Sequence, residues 1–377
     1  MLNDDMVMDL TVDDQVPART ERPDSPEQLA EALQAAAAAA EKVVPIGGGR
    51  LLGLGNPPAR FDVALSTRGL NRIVEFSPAD LVVSVEAGVT LEELDAELSR
   101  AGMCLPLDPP AGPGHTVGGV LASAMSGPLA LRFGRSREFV IGLRVALPDG
   151  RLVASGGRVV KNVSGYDMNK LHQGALGTLG VMVAASFKVF PRPLAELTLE
   201  SQPEDPWAEA ERALRLPQQP VALELDSAGG LLARFWGTQE GVARMHRELG
   251  WQETAAGRWE SRGARGAGWA ETVWAWLSVP RAQLRLVLDG LPAGARWLAS
   301  PGLGVAHWLG ALGLPELRSA RTAAESTGGT LVLVAAPRSL KDEFDAWGAP
   351  PPNLDWMQRL RTAFDHQHTL SPGRFVV

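Results

Sequence analysis

The sequence predicts an α+β protein of two domains, and three observations lead there. Its 377 residues exceed what one hydrophobic core of roughly 100 to 200 residues usually organises. None of the eleven tryptophans precedes Trp207 and all lie between Trp207 and Trp356, so the two halves build different cores. Helix and strand signals mix with hairpin signals, which favours α+β over a doubly wound parallel sheet. The boundary falls near Pro193, because Pro191-Arg192-Pro193 and the polar run Ser201 to Pro206 favour an extended connection over a helix.

In chain order, Ser25-Pro26-Glu27-Gln28 opens a helix: serine caps it, proline takes the first position and glutamine follows three residues after the cap. The alanine-rich stretch carries that helix to about Ala40. Lys42 to Ile46 reads as a short buried strand running into Gly47-Gly48-Gly49. Phe61 to Leu65, Ile73 to Phe76 and Leu81 to Glu86 are further strands, the last two β-branched and bounded by turn residues. Thr90 with Glu93 forms a second capping box, and Gly102 stops that helix. Val140 to Leu147, Pro148-Asp149-Gly150 and Leu152 to Ala154 make a hairpin, and a strand runs from Val181 to Phe190.

The second half carries strands at Val221 to Leu225, Leu231 to Trp236 and Thr330 to Val334. Helices are expected near Gly241 to Leu249, Arg281 to Leu288 and Pro315 to Ser326, the last with proline in its first turn. Gly257 to Trp276 shows no clear period, and no internal repeat is visible.

Charge and cysteine content exclude several function classes. Lys+Arg number 36 against 43 Asp+Glu, a net charge of −7 with no basic block, which argues against binding nucleic acid through its phosphates. One cysteine, Cys104, excludes an internal disulfide and a cysteine-ligated zinc or iron–sulfur site. The N-terminus is acidic, without a basic n-region or an apolar h-region, and no apolar run reaches the roughly 18 residues of a spanning helix. A soluble cytoplasmic protein is expected, with no direct membrane insertion.

Three glycine-rich clusters carry the chemistry. In Gly47-Gly48-Gly49-Arg50-Leu51-Leu52-Gly53-Leu54-Gly55, successive glycines after a strand let backbone N–H groups converge on an anion such as a pyrophosphate. This is not the Rossmann fingerprint, since Leu52 stands where its third glycine belongs, nor a P-loop, which ends in Gly-Lys-Ser/Thr. A plain turn or bulge is the other reading. The second cluster runs through Asp108-Pro109-Pro110, Thr116-Val117-Gly118-Gly119-Val120-Leu121-Ala122 and Arg132-Phe133-Gly134-Arg135; Thr116 caps a short helix whose small first turn lets a ligand approach. The third joins Lys161-Asn162-Val163-Ser164-Gly165-Tyr166-Asp167, which holds the only tyrosine, to Gly174-Ala175-Leu176-Gly177-Thr178-Leu179-Gly180-Val181.

Taken in order, these motifs resemble the FAD-binding domain of the vanillyl-alcohol oxidase / p-cresol methylhydroxylase (PCMH-type) superfamily. The third cluster is most similar to that of the FAD-binding E subunits of bacterial glycolate oxidases. The resemblance covers roughly 25–193 and returns at Phe364-Asp365 and Leu370-Ser371-Pro372-Gly373-Arg374. It implies an N-terminal tail over 1–22, a two-subdomain FAD-binding domain over 23–193, a cap-like α+β domain over 194–355 and a return segment over 356–377. It also implies that Gly47, Gly48, Gly49 and Arg50 sit on the FAD pyrophosphate, with Pro45, Leu51 and Pro109 among the cofactor-binding residues. Thr116, Gly118, Gly119 and Ala122 would line the ribityl chain and flavin, with Gly134 and Val181 nearby. Flavin-linking relatives place a histidine in the first glycine loop; this one has none, so non-covalent FAD is expected.

The activity implied is oxidation of a small 2-hydroxy acid, glycolate to glyoxylate, in a complex. Its partners would be a D-like flavin subunit and an iron–sulfur F-like subunit, through which any membrane association would pass. Two departures from the catalytic relatives stand out: Leu176 replaces a glutamate, and their H-x-x-G-D-G-N-x-H metal motif has no counterpart in 194–355. A non-catalytic assembly or relay subunit and a free-standing 2-hydroxy acid dehydrogenase therefore stay open as alternatives. UDP-N-acetylenolpyruvoylglucosamine reductase shares the fold without support for its NADPH chemistry here.

Flavin chemistry asks the protein for orientation and charge more than for catalytic side chains. Arg132, Arg135, Lys161 and Arg374 are the candidate cations near the flavin, though each suits a solvated surface equally. His366 and His368 would share a face on a strand, but a metal needs a further ligand, and no metal is expected. His115, His172, His246 and His307 stand alone. The tryptophans serve core packing or, in a cap without a substrate site, a docking surface.

Overall fold

The computed structural model describes residues 10–157, 167–255, 257–259 and 273–377. The first domain holds two sheets. β1 (Arg19–Glu21), β2 (Val43–Ile46) and β3 (Val63–Ser66) form a parallel sheet in the order β1-β3-β2. Helix α1 (Pro26–Ala38) packs on it through Leu29, Ala30, Leu33 and Ala36. It starts as its sequence demands, with the Ser25 side chain accepting from Gln28 N–H.

The second sheet is antiparallel, ordered β4-β5-β9-β7-β8. Its strands are β4 (Ile73–Ser77), β5 (Val82–Glu86), β7 (Val140–Ala146), β8 (Leu152–Gly156) and β9 (Val181–Lys188). The expected hairpin is present, Ala146 facing Leu152 across it. Helix α2 (Leu91–Arg100) starts with the full Thr90/Glu93 capping box, and Gly102 ends it at φ +68°. Short elements complete the domain: β6 (Met103–Cys104) pairs with β10 (Phe190–Pro191), and α3 (Val117–Ser123), α4 (Ala130–Phe133) and α5 (Met168–His172) lie between strands.

The second half forms one antiparallel eight-stranded sheet in the order β14-β11-β13-β12-β16-β17-β15-β18. Two βαββαβ units build it. The first contains β11 (Ala195–Ser201), α6 (Pro206–Leu214), β12 (Ala222–Asp226), β13 (Leu231–Gly237), α7 (Gln239–Leu249) and β14 (Gln252–Glu253). The second contains β15 (Val273–Ser278), α8 (Leu284–Asp289), β16 (Arg296–Ser300), β17 (Val305–Gly310), α9 (Leu314–Ser326) and β18 (Thr330–Ala335). They join through β12 and β16, the second strand of each, so their strand orders mirror each other. The sequence reading found no repeat because the duplication lies in connectivity, not in matching residues.

Helices cover one face of this sheet, where Val273, Ala275 and Leu277 meet Leu284, Val287, Leu317 and Ala320. The other face lies on the first domain: Trp274, Val332 and Val334 pack on Leu54, Ala111 and Met125. Both faces of β15 are therefore apolar, which removes the alternation that marks a half-buried strand and explains why Val273 to Trp276 showed no strand period. Residues 260–272 lie outside the description. Another expectation needs correction at Ser201 to Pro206. Asp205 caps α6 and Pro206 is its first residue, so the proline opens a helix where a connection was expected.

The tryptophans mostly turn inward. Trp274 and Trp308 are among the largest fully buried side chains, and Trp251 and Trp259 are buried too. Trp356 is 66% exposed, but it stands on α11 (Leu354–Phe364), which follows α10 (Arg338–Lys341). Those described therefore mostly build core, the first of the two readings the sequence offered. After α11 the chain returns to the first sheet, where Leu370 bridges Val43 in parallel. His366 and His368 fall in the turn before that bridge, both exposed and with His368 at φ +51°, not on a strand.

Candidate functional site

The triple glycine leaves β2 at the edge of a narrow slot of about 80 Å³. Its glycines serve close packing first. A Cβ on Gly47 would lie 2.2 Å from Thr116 Oγ1, one on Gly48 would lie 1.9 Å from the Gly114 carbonyl oxygen, and Gly49 has φ +71°. Gly48 N–H donates to Thr116 Oγ1 at 3.2 Å. The missing side chains of Gly47 and Gly48 thus admit the neighbouring loop. The amides of Gly49, Arg50 and Leu51 donate to no acceptor among the described residues, and half-buried N–H groups without protein partners suit an anion. The Arg50 guanidinium spans to the same neighbour, donating to the Ala111 carbonyl at 2.7 Å.

Thr116 and α3 form the opposite wall. Fully buried, Thr116 accepts from Gly119 N–H at 3.2 Å as the helix cap, so one hydroxyl ties the helix start to the glycine loop. Thr116→Ala is expected to destabilise the protein by about 1–2 kcal/mol, because a cap and an inter-loop bond vanish together; chemical denaturation reads this, and an unchanged midpoint would contradict it. A Cβ on Gly119 would meet only Thr116 Oγ1, at 3.1 Å.

The rest of the lining includes residues far apart in sequence: Val44, His115, Ala122, Leu176, Ser371 and Arg374. Leu176 holds φ +48°, donates its N–H to the Ala122 carbonyl and accepts from Ser371 Oγ at 3.0 Å. The residue that replaces a glutamate thus stands in the slot wall. A wider cleft of about 800 Å³ shares Gly49, Arg50, Leu51 and Leu52 with the slot and reaches Trp274 and Val334 of the second sheet.

Of the residues expected at the site, Pro45, Gly47, Gly48, Gly49, Arg50, Leu51, Thr116, Gly119 and Ala122 meet around this slot. Four stand elsewhere. Gly118 approaches Ala87, Pro109 lines a separate apolar groove, Gly134 packs near Glu138, and the Val181 side chain joins the core around Leu29 and Val63. Of the candidate cations, Arg132 and Arg135 are exposed, Arg374 is buried, and Lys161 lies outside the described residues, as do Asn162 to Tyr166. Spacing could not reveal His115, Ser371 or Leu52 as lining, since the chain assembles them from two loops and the tail.

Several buried groups carry shifted proton affinities. Burial pushes the Asp108 carboxyl up to about 8, against the Leu129 N–H that donates to it at 2.9 Å. Burial lowers His115, whose Nε2 lies 2.7 Å from the Pro110 carbonyl oxygen, and takes His172 and His307 down to about 4. Asp108 is protonated at neutral pH in the fold and ionised in the unfolded chain, so its contribution to stability falls as pH rises from about 4 to about 8. Asp108→Asn should leave stability unchanged near pH 4 and raise it progressively toward pH 8, by at most about 1.4 kcal/mol per pH unit. Melting curves across that range check this; equal curves at pH 8 would contradict it.

Among the described residues, no group of three or more His, Cys, Asp and Glu is placed to hold a metal ion, and no helix is long and apolar enough to cross a membrane.

Residues 17–156 match the family described as FAD binding domain. Glycolate oxidase subunit GlcE of Escherichia coli is 30% identical over 318 residues, covering 82% of this chain and 86% of that protein. Glycolate oxidase subunit GlcD of Bacillus subtilis is 33% identical over 157 residues, 42% of this chain and 33% of that one. D-lactate dehydrogenase [cytochrome] 1 of Saccharomyces cerevisiae is 36% identical over 157 residues, 41% of this chain and 26% of that one. Among solved structures, alkyldihydroxyacetonephosphate synthase superimposes with a TM-score of 0.71 over 94% of this chain and 77% of that chain, at 17% identity, a likeness of fold.

Proposed function

We infer the function from one premise: the chain belongs to the glycolate oxidase subunit GlcE family of FAD-binding proteins. It binds FAD and is a flavin-dependent oxidoreductase of a multi-subunit kind. One observation carries the finer reading. The likeness to GlcE extends over 318 residues, whereas those to GlcD and to D-lactate dehydrogenase each cover 157. On that ground we place this chain in a complex that oxidises glycolate to glyoxylate, beside a D-like flavin subunit and an iron–sulfur F-like subunit.

The residues present fit the cofactor. Three amides without an acceptor among the described residues offer donors, and the buried Arg374 positive potential, to a pyrophosphate. The slot holds little more than the phosphates, and the cleft sharing its Gly49–Leu52 wall gives room for the remainder. Bound here, FAD would supply the hydride and electron chemistry of flavins. This chain's part is to grip the phosphates with backbone donors, hold Leu176 as an apolar wall and exclude water behind Trp274. His115 lines the slot, but its Nε2 is engaged with Pro110. Acid precipitation is therefore expected to release all the flavin into the supernatant; a yellow pellet would contradict non-covalent binding.

Leu176 also favours the second reading, a flavin subunit that relays electrons or supports assembly without oxidising substrate. Activity with and without the two partner chains separates the readings. We further propose a cytoplasmic location, with membrane association only through partners; fractionation of the chain expressed alone tests this, and recovery in the membrane pellet would refute it.

A further inference from the structure

Residues 12–15 fold into a two-residue hairpin whose purpose the cofactor slot does not explain by itself. Val12 and Gln15 exchange both backbone hydrogen bonds at 3.0 Å, while Asp13 and Asp14 between them hold φ +47° and +63°. Val12 anchors the hairpin in a core with Val44, Ile46, Phe61 and Ala64, beneath the strand that leads to the glycine loop. Backbone strain at two successive non-glycine residues persists only where surrounding contacts impose it.

Those contacts are ionic and buried. The Asp13 side chain is 4% exposed and its Oδ1 lies 2.6 Å from Lys341 Nζ, itself fully enclosed. Arg374 Nη1 lies 3.9 Å from Asp13 Oδ2, and neither atom has a hydrogen-bond partner. Both cations also hold the exit of the glycine loop. Lys341 Nζ donates to the Gly53 carbonyl at 2.6 Å, and Arg374 Nη2 donates to the Leu52 and Leu54 carbonyls at 2.6 and 2.8 Å. Three successive carbonyls are thus pinned by two cations from different parts of the chain. One lies on α10 after the second sheet, the other in the C-terminal return, and one N-terminal carboxylate holds the two together. The turn they pin follows directly on Gly49, Arg50 and Leu51, whose amides have no acceptor among the described residues.

We propose that Asp13 is a positioning residue of the cofactor slot, acting through Lys341 and Arg374 to fix the Leu52–Leu54 carbonyls and so aim the Gly49–Leu51 amides at the FAD phosphates. Without Asp13, two buried cations lose their counter-charge, a state far costlier than an intact pair. They would swing toward solvent and release the carbonyls. Burial lowers both cations, Lys341 against the raising pull of Asp13, and Arg374 to about 10, which keeps Arg374 charged at neutral pH. The inference rests on the assignment of this slot to FAD.

Asp13→Asn isolates the charge, because asparagine tolerates the left-handed conformation of such turns. FAD titration of apo-protein, followed by flavin fluorescence, should show about tenfold weaker binding, the scale of supporting residues one contact removed from a bound group. The 31P resonances of the bound pyrophosphate should shift, a change that a loss of global stability alone would not produce. Asp149→Asn, in an exposed turn that lines neither the slot nor the cleft, should do neither. Lys341→Met should weaken FAD likewise, and the double variant should be no worse than the weaker single one, because both act through one cluster. Wild-type FAD affinity and unshifted 31P lines in Asp13→Asn would overturn the inference, as would tighter binding, which would mean that Asp13 competes with the phosphates for the cations. Gly119→Leu separates the two levels: if it excludes FAD while Asp13→Asn binds normally, only this inference fails; if it retains FAD, the slot assignment falls and takes the inference with it.

Discussion

Gly119→Leu is expected to yield a folded, colourless protein. The position lies in the first turn of a helix capped by Thr116 and lines the slot, and a Cβ there touches only Thr116 Oγ1 at 3.1 Å. The substitution therefore grows into the space where the phosphates would sit without striking the backbone. Replacing a helical glycine also favours the helix by up to about 1 kcal/mol, so loss of flavin would not trace to unfolding. Gly48→Val should lose flavin too, but it collides with the Gly114 carbonyl and forces two loops apart. Flavin absorbance per chain after gel filtration, beside a melting curve, is the measurement. A Gly119→Leu protein with wild-type flavin content would remove this slot as the cofactor site.

The second large effect concerns dependence on partners. Purified alone, the chain should bind FAD yet oxidise glycolate slowly or not at all with a dye acceptor. Two observations motivate this. Leu176 stands in the slot wall where the resemblance places a glutamate in substrate-oxidising relatives, and 194–355 carries no counterpart of their metal motif. Co-expression with D-like and iron–sulfur chains should restore turnover by an order of magnitude or more, since each such acid–base contribution is worth roughly 10²–10⁴-fold. Equal turnover with and without partners would instead identify a free-standing dehydrogenase. Association unaffected by emptying the slot, with turnover intact, would identify an assembly subunit.

How much of this was legible beforehand follows from the range of each signal. Ser25, Thr90 and Thr116 could be read as caps because a cap is written within four residues, and each closes the bond its spacing predicts. Pro206 obeys the same grammar, yet proximity to Pro191 and Pro193 made it look like part of a break. The glycine loop was legible as a ligand loop, but not the division of labour inside it: Gly47 and Gly48 admit the Thr116 loop while Gly49, Arg50 and Leu51 present amides. Strands β16 and β17 escaped notice because Trp297, Trp308 and the residues around Gly302 mix apolar faces without alternation. Asp13, Lys341 and Arg374 could not be joined on paper at all, since 328 residues separate the first pair and only the folded chain brings them together.

The account's central claim is that FAD is held by the amides following the triple glycine, against the Thr116 helix. An experimental structure of the FAD-loaded chain tests it most directly. Pyrophosphate oxygens should lie within hydrogen-bonding distance of the Gly49, Arg50 and Leu51 N–H groups, with Arg374 still holding the Leu52 and Leu54 carbonyls beneath them. A pyrophosphate bound anywhere else, with those three amides left facing solvent, would contradict it.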